Sequence, residues 1–176
     1  MKNLRVFFSN TMLILLVISY FVISGIMYFG EGGLLDIWKL SGMLIPDLSI
    51  NHSQESLSEM FTKWGPQGRL YYIRYQYRDF IYPIIYSVLM TGVLIRLIRP
   101  VSPNIWVIIP SLAMIFDFAE NYFLRVLVYD FPNFIPEYIS YASLFSTLKW
   151  SSILFSFILI IIALINRRNK YAAQNK

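Results

Sequence analysis

Between Val6 and Gly30 the chain carries no charged residue. About 20 apolar residues are enough to cross about 30 Å of hydrocarbon. In that medium the backbone must satisfy its own hydrogen bonds, so such a segment is expected to be helical. Three further segments share the character. Phe80 to Ile95 is charge-free but short, so its helix is expected to begin earlier, near Gln67 to Tyr71. The other two run from about Asn104 to Leu127 and from about Tyr138 to Ile165. Pro100 and Pro103 mark a turn after the second segment, and Pro132 and Pro136 one after the third.

The expected fold is an all-α, four-transmembrane-helix bundle in a single membrane domain, residues 1–176. Its helices fall at about 6–29, 68–97, 104–127 and 138–165, with a long extracytoplasmic loop at 31–67. Composition agrees. Hydrophobic residues make up 57% of the chain and charged ones 14%, against about 45 to 50% and about 25% in soluble domains. Lys2 and Arg5 before the first segment imitate a signal peptide, but ISGIMYFG has no small-x-small cleavage site, so a retained anchor helix is expected. The absence of cysteine excludes disulfide, thiol-redox and cysteine-ligated metal chemistry, and with them the four-helix quinone-coupled thiol oxidoreductases. His52 is the only histidine and has no second histidine to share a metal with, so neither metal nor cofactor is expected.

Charge placement gives an orientation. Lys2, Arg5, Arg96, Arg99, Arg167, Arg168, Lys170 and Lys176 gather on one side of the four spans, and no acid lies there. Positive charge favours the cytoplasmic side. Both termini are therefore expected inside, in the cell membrane. The pI of about 9.4 follows from this asymmetry and implies no nucleic-acid partner.

The loop is too long to lack structure of its own. In GLLDIWKLSGMLI, Leu34, Ile37, Trp38 and Leu44 or Ile45 lie near helical spacing, as in a helix on the membrane surface that can act as a lid. SQESLSEMFTKW suggests a second short helix, capped by Ser53 or Ser56, with Glu59 completing a capping box from Ser56.

Ionisable residues within the spans mark the candidate site. Each costs about 2.5 to 3.5 kcal/mol on insertion scales, so they face a packed interior or a wet cavity. In the second helix Arg69, Tyr72, Gln76, Asp79, Tyr82 and Tyr86 recur at three- and four-residue steps, forming one polar face. Pro83 removes a backbone donor and should free the Asp79 carbonyl. In the third helix Asp117, Glu120 and Asn121 share a face. At about 1.5 Å per residue, Asp79, Glu120 and Lys149 all lie about 25 Å from the inner ends of their helices, and Asp117 about 20 Å. The expected site joins Asp79, Asp117, Glu120, Asn121 and Lys149, with Arg125 or Arg69 closing it from the loop side.

The spacing GR-x2-Y-x6-D-x2-YP-x2-Y, followed by FD-x2-EN, resembles a pattern of uncharacterised four-helix membrane proteins and covers about sixty residues. The long loop after the first helix and the short turn between the second and third are similar to those of the sterol-isomerase and sigma-2-receptor-like group. That resemblance is architectural. It implies a lipophilic amine or sterol held between intramembrane acids.

The residues together read as a pocket for a small lipophilic or amphiphilic ligand, which it binds and, in the fuller version of this reading, converts. Asp117 and Glu120 handle protons, with Lys149 as counter-charge. Asp79, Tyr82, Tyr86, Asn121, Arg69 and Arg125 bind the ligand. Two other readings stand beside it: an accessory subunit docking a larger complex or a second copy, and proton-coupled transport. Buried acids and a lysine can also simply fix helix register. Reporter fusions at Lys2 and Lys176 should both report the cytoplasm, and fusions within 31–67 the opposite side; a C-terminus opposite the N-terminus would remove one span.

Overall fold

The computed structural model describes residues 2–98 and 105–174, all helix, turn or short connection. Seven α-helices follow in order: α1 (Lys2–Phe7), α2 (Asn10–Phe29), α3 (Leu34–Ser41), α4 (Gln54–Asp79), α5 (Tyr82–Leu97), α6 (Ile109–Asp130) and α7 (Pro136–Gln174). A 3-10 turn, Pro46–Leu48, interrupts the connection from α3 to α4, and another, Ile105–Ile108, leads into α6. Four helical stretches are long and apolar enough to cross a membrane: Asn10–Ser41, Gln54–Leu97, Trp106–Asp130 and Pro136–Arg168. The turn read from Pro100 and Pro103, the cation Arg99, the helix start at Asn104 and the terminal Lys176 lie outside the described residues.

Several boundaries differ from the sequence reading, each for a local reason. The first span is broken at Phe8 and Ser9, where the Ser9 side chain caps α2 by accepting from the Met12 amide at 3.2 Å. Arg96 of α5 fixes this corner by donating to the Phe8 carbonyl and to the Asn10 side chain. The second span starts at Gln54, well before residue 68. Its cap is Ser53, paired with Ser56 in a capping box, while Glu59 instead holds Lys63 at 2.8 Å. Gly65 (φ 61°, ψ −173°), followed by Pro66, bends this helix through a backbone region that strains an L side chain. A second break falls at Phe80 and Ile81, ahead of Pro83, where the Ile81 amide bonds back to the Arg78 carbonyl. α6 and α7 both run past their expected ends.

Packing is uneven. α6 pairs most extensively with α7, α5 touches α2, α6 and α7, and α3 lies along α4. α4 does not pack along α7. Along α6 the buried positions are Pro110, Ala113, Asp117, Glu120, Asn121, Leu124, Leu127 and Val128, one helical stripe that is polar in its middle. On α7 the matching stripe is Ile139, Ala142, Ser146, Lys149 and Ser156. Leu124, Leu127, Val128, Ile139 and Ala142 join Phe61, Trp64, Ile37 and Ile45 in an apolar core at the loop end. The polar stretches of the stripes form the layer beneath it. α2 buries only Met27 and sits at the rim, its side chains otherwise apolar and largely exposed, as suits contact with lipid.

Candidate functional site

Lys149 organises the polar layer. Its side chain is 5% exposed, and its ammonium pairs with the carboxylate of the fully buried Glu120 side chain. A lone ammonium at that depth would be strongly unfavourable, so the pair is what lets α7 bury this face against α6. Ser146, one turn earlier on α7, donates to the other Glu120 oxygen. The rest of the expected set lies alongside. Asn121 donates through one amide nitrogen to Asp79 at 2.7 Å and to Asp117 at 3.1 Å, bridging α4 and α6. Tyr86 donates to the second oxygen of Asp117 at 3.0 Å. The five residues expected to meet, Asp79, Asp117, Glu120, Asn121 and Lys149, are all buried within one chain and share one layer.

Three other expected ligand residues lie elsewhere. Tyr82 donates to the Tyr20 hydroxyl of α2 at 2.7 Å and packs its ring against Tyr86. Arg69 stays at the loop end, donating to the Phe61 carbonyl at 2.8 Å and lying over the Phe131 ring. Arg125 reaches the edge of the layer indirectly. It donates to Gln76 at 3.2 Å and stacks on Tyr77 and Phe80.

The structure adds a group that the sequence reading left in the loop. The connection between α3 and α4 folds back into the bundle and places Asp47 beside Lys149. The Asp47 backbone carbonyl accepts from the Lys149 ammonium at 3.1 Å, and its carboxylate accepts from the Tyr72 hydroxyl at 2.6 Å. Gln76 donates to the same hydroxyl at 3.0 Å. His52 is buried as well, its ring Nε2 lying 3.0 Å from the Ser146 hydroxyl. Burial pushes the Asp47 carboxyl up, against the opposing pull of Lys149 and Tyr72. Burial, and then the Lys149 charge, push His52 down to about 4.

Four buried carboxyls, Asp47, Asp79, Asp117 and Glu120, thus face one buried ammonium. Two acceptors in the layer, Asp47 Oδ1 and Asn121 Oδ1, have no hydrogen-bond partner. A low-dielectric interior does not hold several unbalanced negative charges. The balance must come from protons shared within the layer or from a positive or proton-donating group brought to it. Among the described residues, no three histidine, cysteine or acidic side chains are grouped to hold a metal ion. No protein-family model, curated protein or solved structure matches the chain.

Removing the ammonium should be costly. Lys149→Met leaves Glu120 buried without its partner and should lower stability by about 3 to 5 kcal/mol. Adding Glu120→Gln should recover part of that loss in detergent melting curves, and no recovery would mean that the two side chains do not pair. His52 supplies a pH signature. Its folded pKa lies below its unfolded value of about 6.5, so its contribution is complete above that value and is lost as pH falls toward about 4. Lys149, Glu120 and Asp47 face the same region. The His52 part is therefore read as the difference between wild type and His52→Gln, which should lose less stability between pH 6.5 and 4.

Proposed function

We propose that this multi-pass membrane protein binds a small lipophilic or amphiphilic ligand at the polar layer between α4, α5, α6 and α7. Asp117 and Glu120 are its proton-handling pair. Lys149 is the counter-charge, Asp79 a partner acid, and Asn121 and Tyr86 orient the bound group. One observation carries this reading: the acids face each other and one ammonium inside a single chain, instead of lining an outward face. A docking subunit would present such a stripe to its partner. Here the exposed surface of α2, and of α7 from Leu154 to Ile165, is largely apolar.

The arrangement suits proton exchange with a bound molecule. General acid–base chemistry needs a titratable group within hydrogen-bond reach of the reacting atom, at a controlled protonation state. Excess carboxyls in an enclosed layer supply both the donors and the acceptors for it. In this reading the excess of positive charge at one end supports an orientation with the α3 and α4 loop outside and both chain ends in the cytoplasm.

Asp117→Asn keeps the shape and removes one acid. Native mass spectrometry of gently extracted wild type should show a bound small molecule, and Asp117→Asn should lose it at unchanged expression and membrane insertion. Glu120→Gln should lose it too or shift the pH dependence of binding. Retention of the molecule in both variants would leave the acids as packing devices and favour the accessory-subunit reading.

A further inference from the structure

The segment from Gly42 to Ser53 stands where two helices fail to meet. α4 and α7 flank the polar layer without packing along each other, and this strap fills the gap between them. From Asp47 to His52 it runs antiparallel to α7, back toward the loop end. The His52 amide donates to Ser143 at 2.9 Å, the Ile50 carbonyl accepts from Thr147 at 3.3 Å, and the Asp47 carbonyl accepts from Lys149. On the other side Asp47 meets Tyr72 of α4. The strap's own backbone bonds are two, both in its 3-10 turn: Leu48 to Ile45 and Ser49 to Pro46.

Asp47 and His52 point inward and are buried beside Ile45 and Pro46, while the outer face exposes Leu44, Leu48 and Ile50 (57%, 47% and 57%) together with Ser49 and Asn51. Asp47 lies level with Lys149 of α7, and the exposed Leu44, Leu48 and Ile50 suit contact with hydrocarbon. The strap begins at Gly42 in the left-handed region (φ 67°), the backbone torsion that ends α3, and it closes at the Ser53 cap of α4. Ile45 anchors its first half in the apolar core, and from Asp47 to His52 it is held by hydrogen bonds to side chains of α7 and α4.

We propose that residues 42–53 are a side door between α4 and α7, opening the polar layer toward the bilayer, and that an arriving lipophilic molecule displaces Asp47. The Asp47 carbonyl and carboxylate occupy the donors of Lys149 and Tyr72, so the group that replaces them carries hydrogen-bond acceptors, as a carbonyl or hydroxyl oxygen does. Leaving Asp47 exposes Glu120 to the same gap through the shared ammonium. This inference rests on the ligand-binding reading for what passes the door, but the door itself is testable without any ligand.

The test is chemical access to Glu120 in lipid vesicles, using the lipid-soluble dicyclohexylcarbodiimide and a water-soluble carbodiimide in parallel, with peptide mass spectrometry locating the adduct. The double variant Ser143→Ala, Thr147→Val removes two strap anchors and leaves every acid and Lys149 in place. Labelling of Glu120 by the lipid-soluble reagent should rise about tenfold, the shift in an opening equilibrium that losing one or two hydrogen bonds produces. An unchanged or slower rate overturns the proposal, as does an equal rise with the water-soluble reagent. Wild-type protein gives a second measurement that does not depend on how the variant folds. Hydrogen exchange at the Ser49 and His52 amides should be at least about tenfold faster than in the adjoining turns of α4 and α7; equal protection would make the strap a fixed part of the core. Opening of the strap alongside a ligand indifferent to Asp117→Asn would retain the door and reject the binding reading.

Discussion

The pairing of Lys149 with Glu120 is the interaction on which the rest of the bundle depends. A charged group deep among apolar helices is tolerated only with its partner in place, and this pair sets the register of α7 against α6. The same register brings Ser146 onto Glu120 and leaves Ile139 and Ala142 to close the apolar core above the layer. Around the pair the acids exceed the bases. That excess is what the ligand-binding proposal rests on: an ion pair alone is enough to fix helix register, whereas three further carboxyls add desolvation penalties.

The strap answers a geometric problem created by the helices. α4 is broken after Asp79 and bent at Gly65, and it does not follow α7, so the polar layer would be open on that side. A segment of loop closes it by turning its backbone carbonyls and two polar side chains inward and its leucines outward. Ile45 anchors that segment in the apolar core, while from Asp47 to His52 it is held by side-chain hydrogen bonds, so that stretch is the part whose opening disturbs the fewest packed contacts.

Much of this was legible in the sequence because helical spacing and rise are regular. Asp117, Glu120 and Asn121 share a face by their spacing, and counting residues along α6 and α7 brings Glu120 and Lys149 to one depth. Ser146, three residues before Lys149, lay on the same face but gave no signal, since serine is common on helix surfaces. Asp47 and His52 were not readable as site residues. Their position depends on how a non-helical segment folds back over the bundle, and no periodicity records that. Pro83 signals a loosened carbonyl, but neither the break at Phe80 and Ile81 nor the hydrogen bond from Tyr82 to Tyr20 of α2 can be read from spacing. Ser53 was legible as one of two candidate caps of α4, but the capping box closes on Ser56 and not between Ser56 and Glu59.

The central claim is that the ammonium of Lys149 sits on the Glu120 carboxylate inside a single chain. Solid-state magnetic resonance on protein in lipid bilayers, with 15N-labelled lysine and 13C-labelled glutamate, measures that contact through the Nζ to Cδ dipolar coupling. The account predicts a coupling corresponding to about 4 Å or less, lost in Glu120→Gln, Lys149→Met. It should also persist when labelled chains are diluted into unlabelled ones. A separation beyond about 6 Å, or a coupling that vanishes on dilution because the partner carboxylate belongs to another copy, would contradict it.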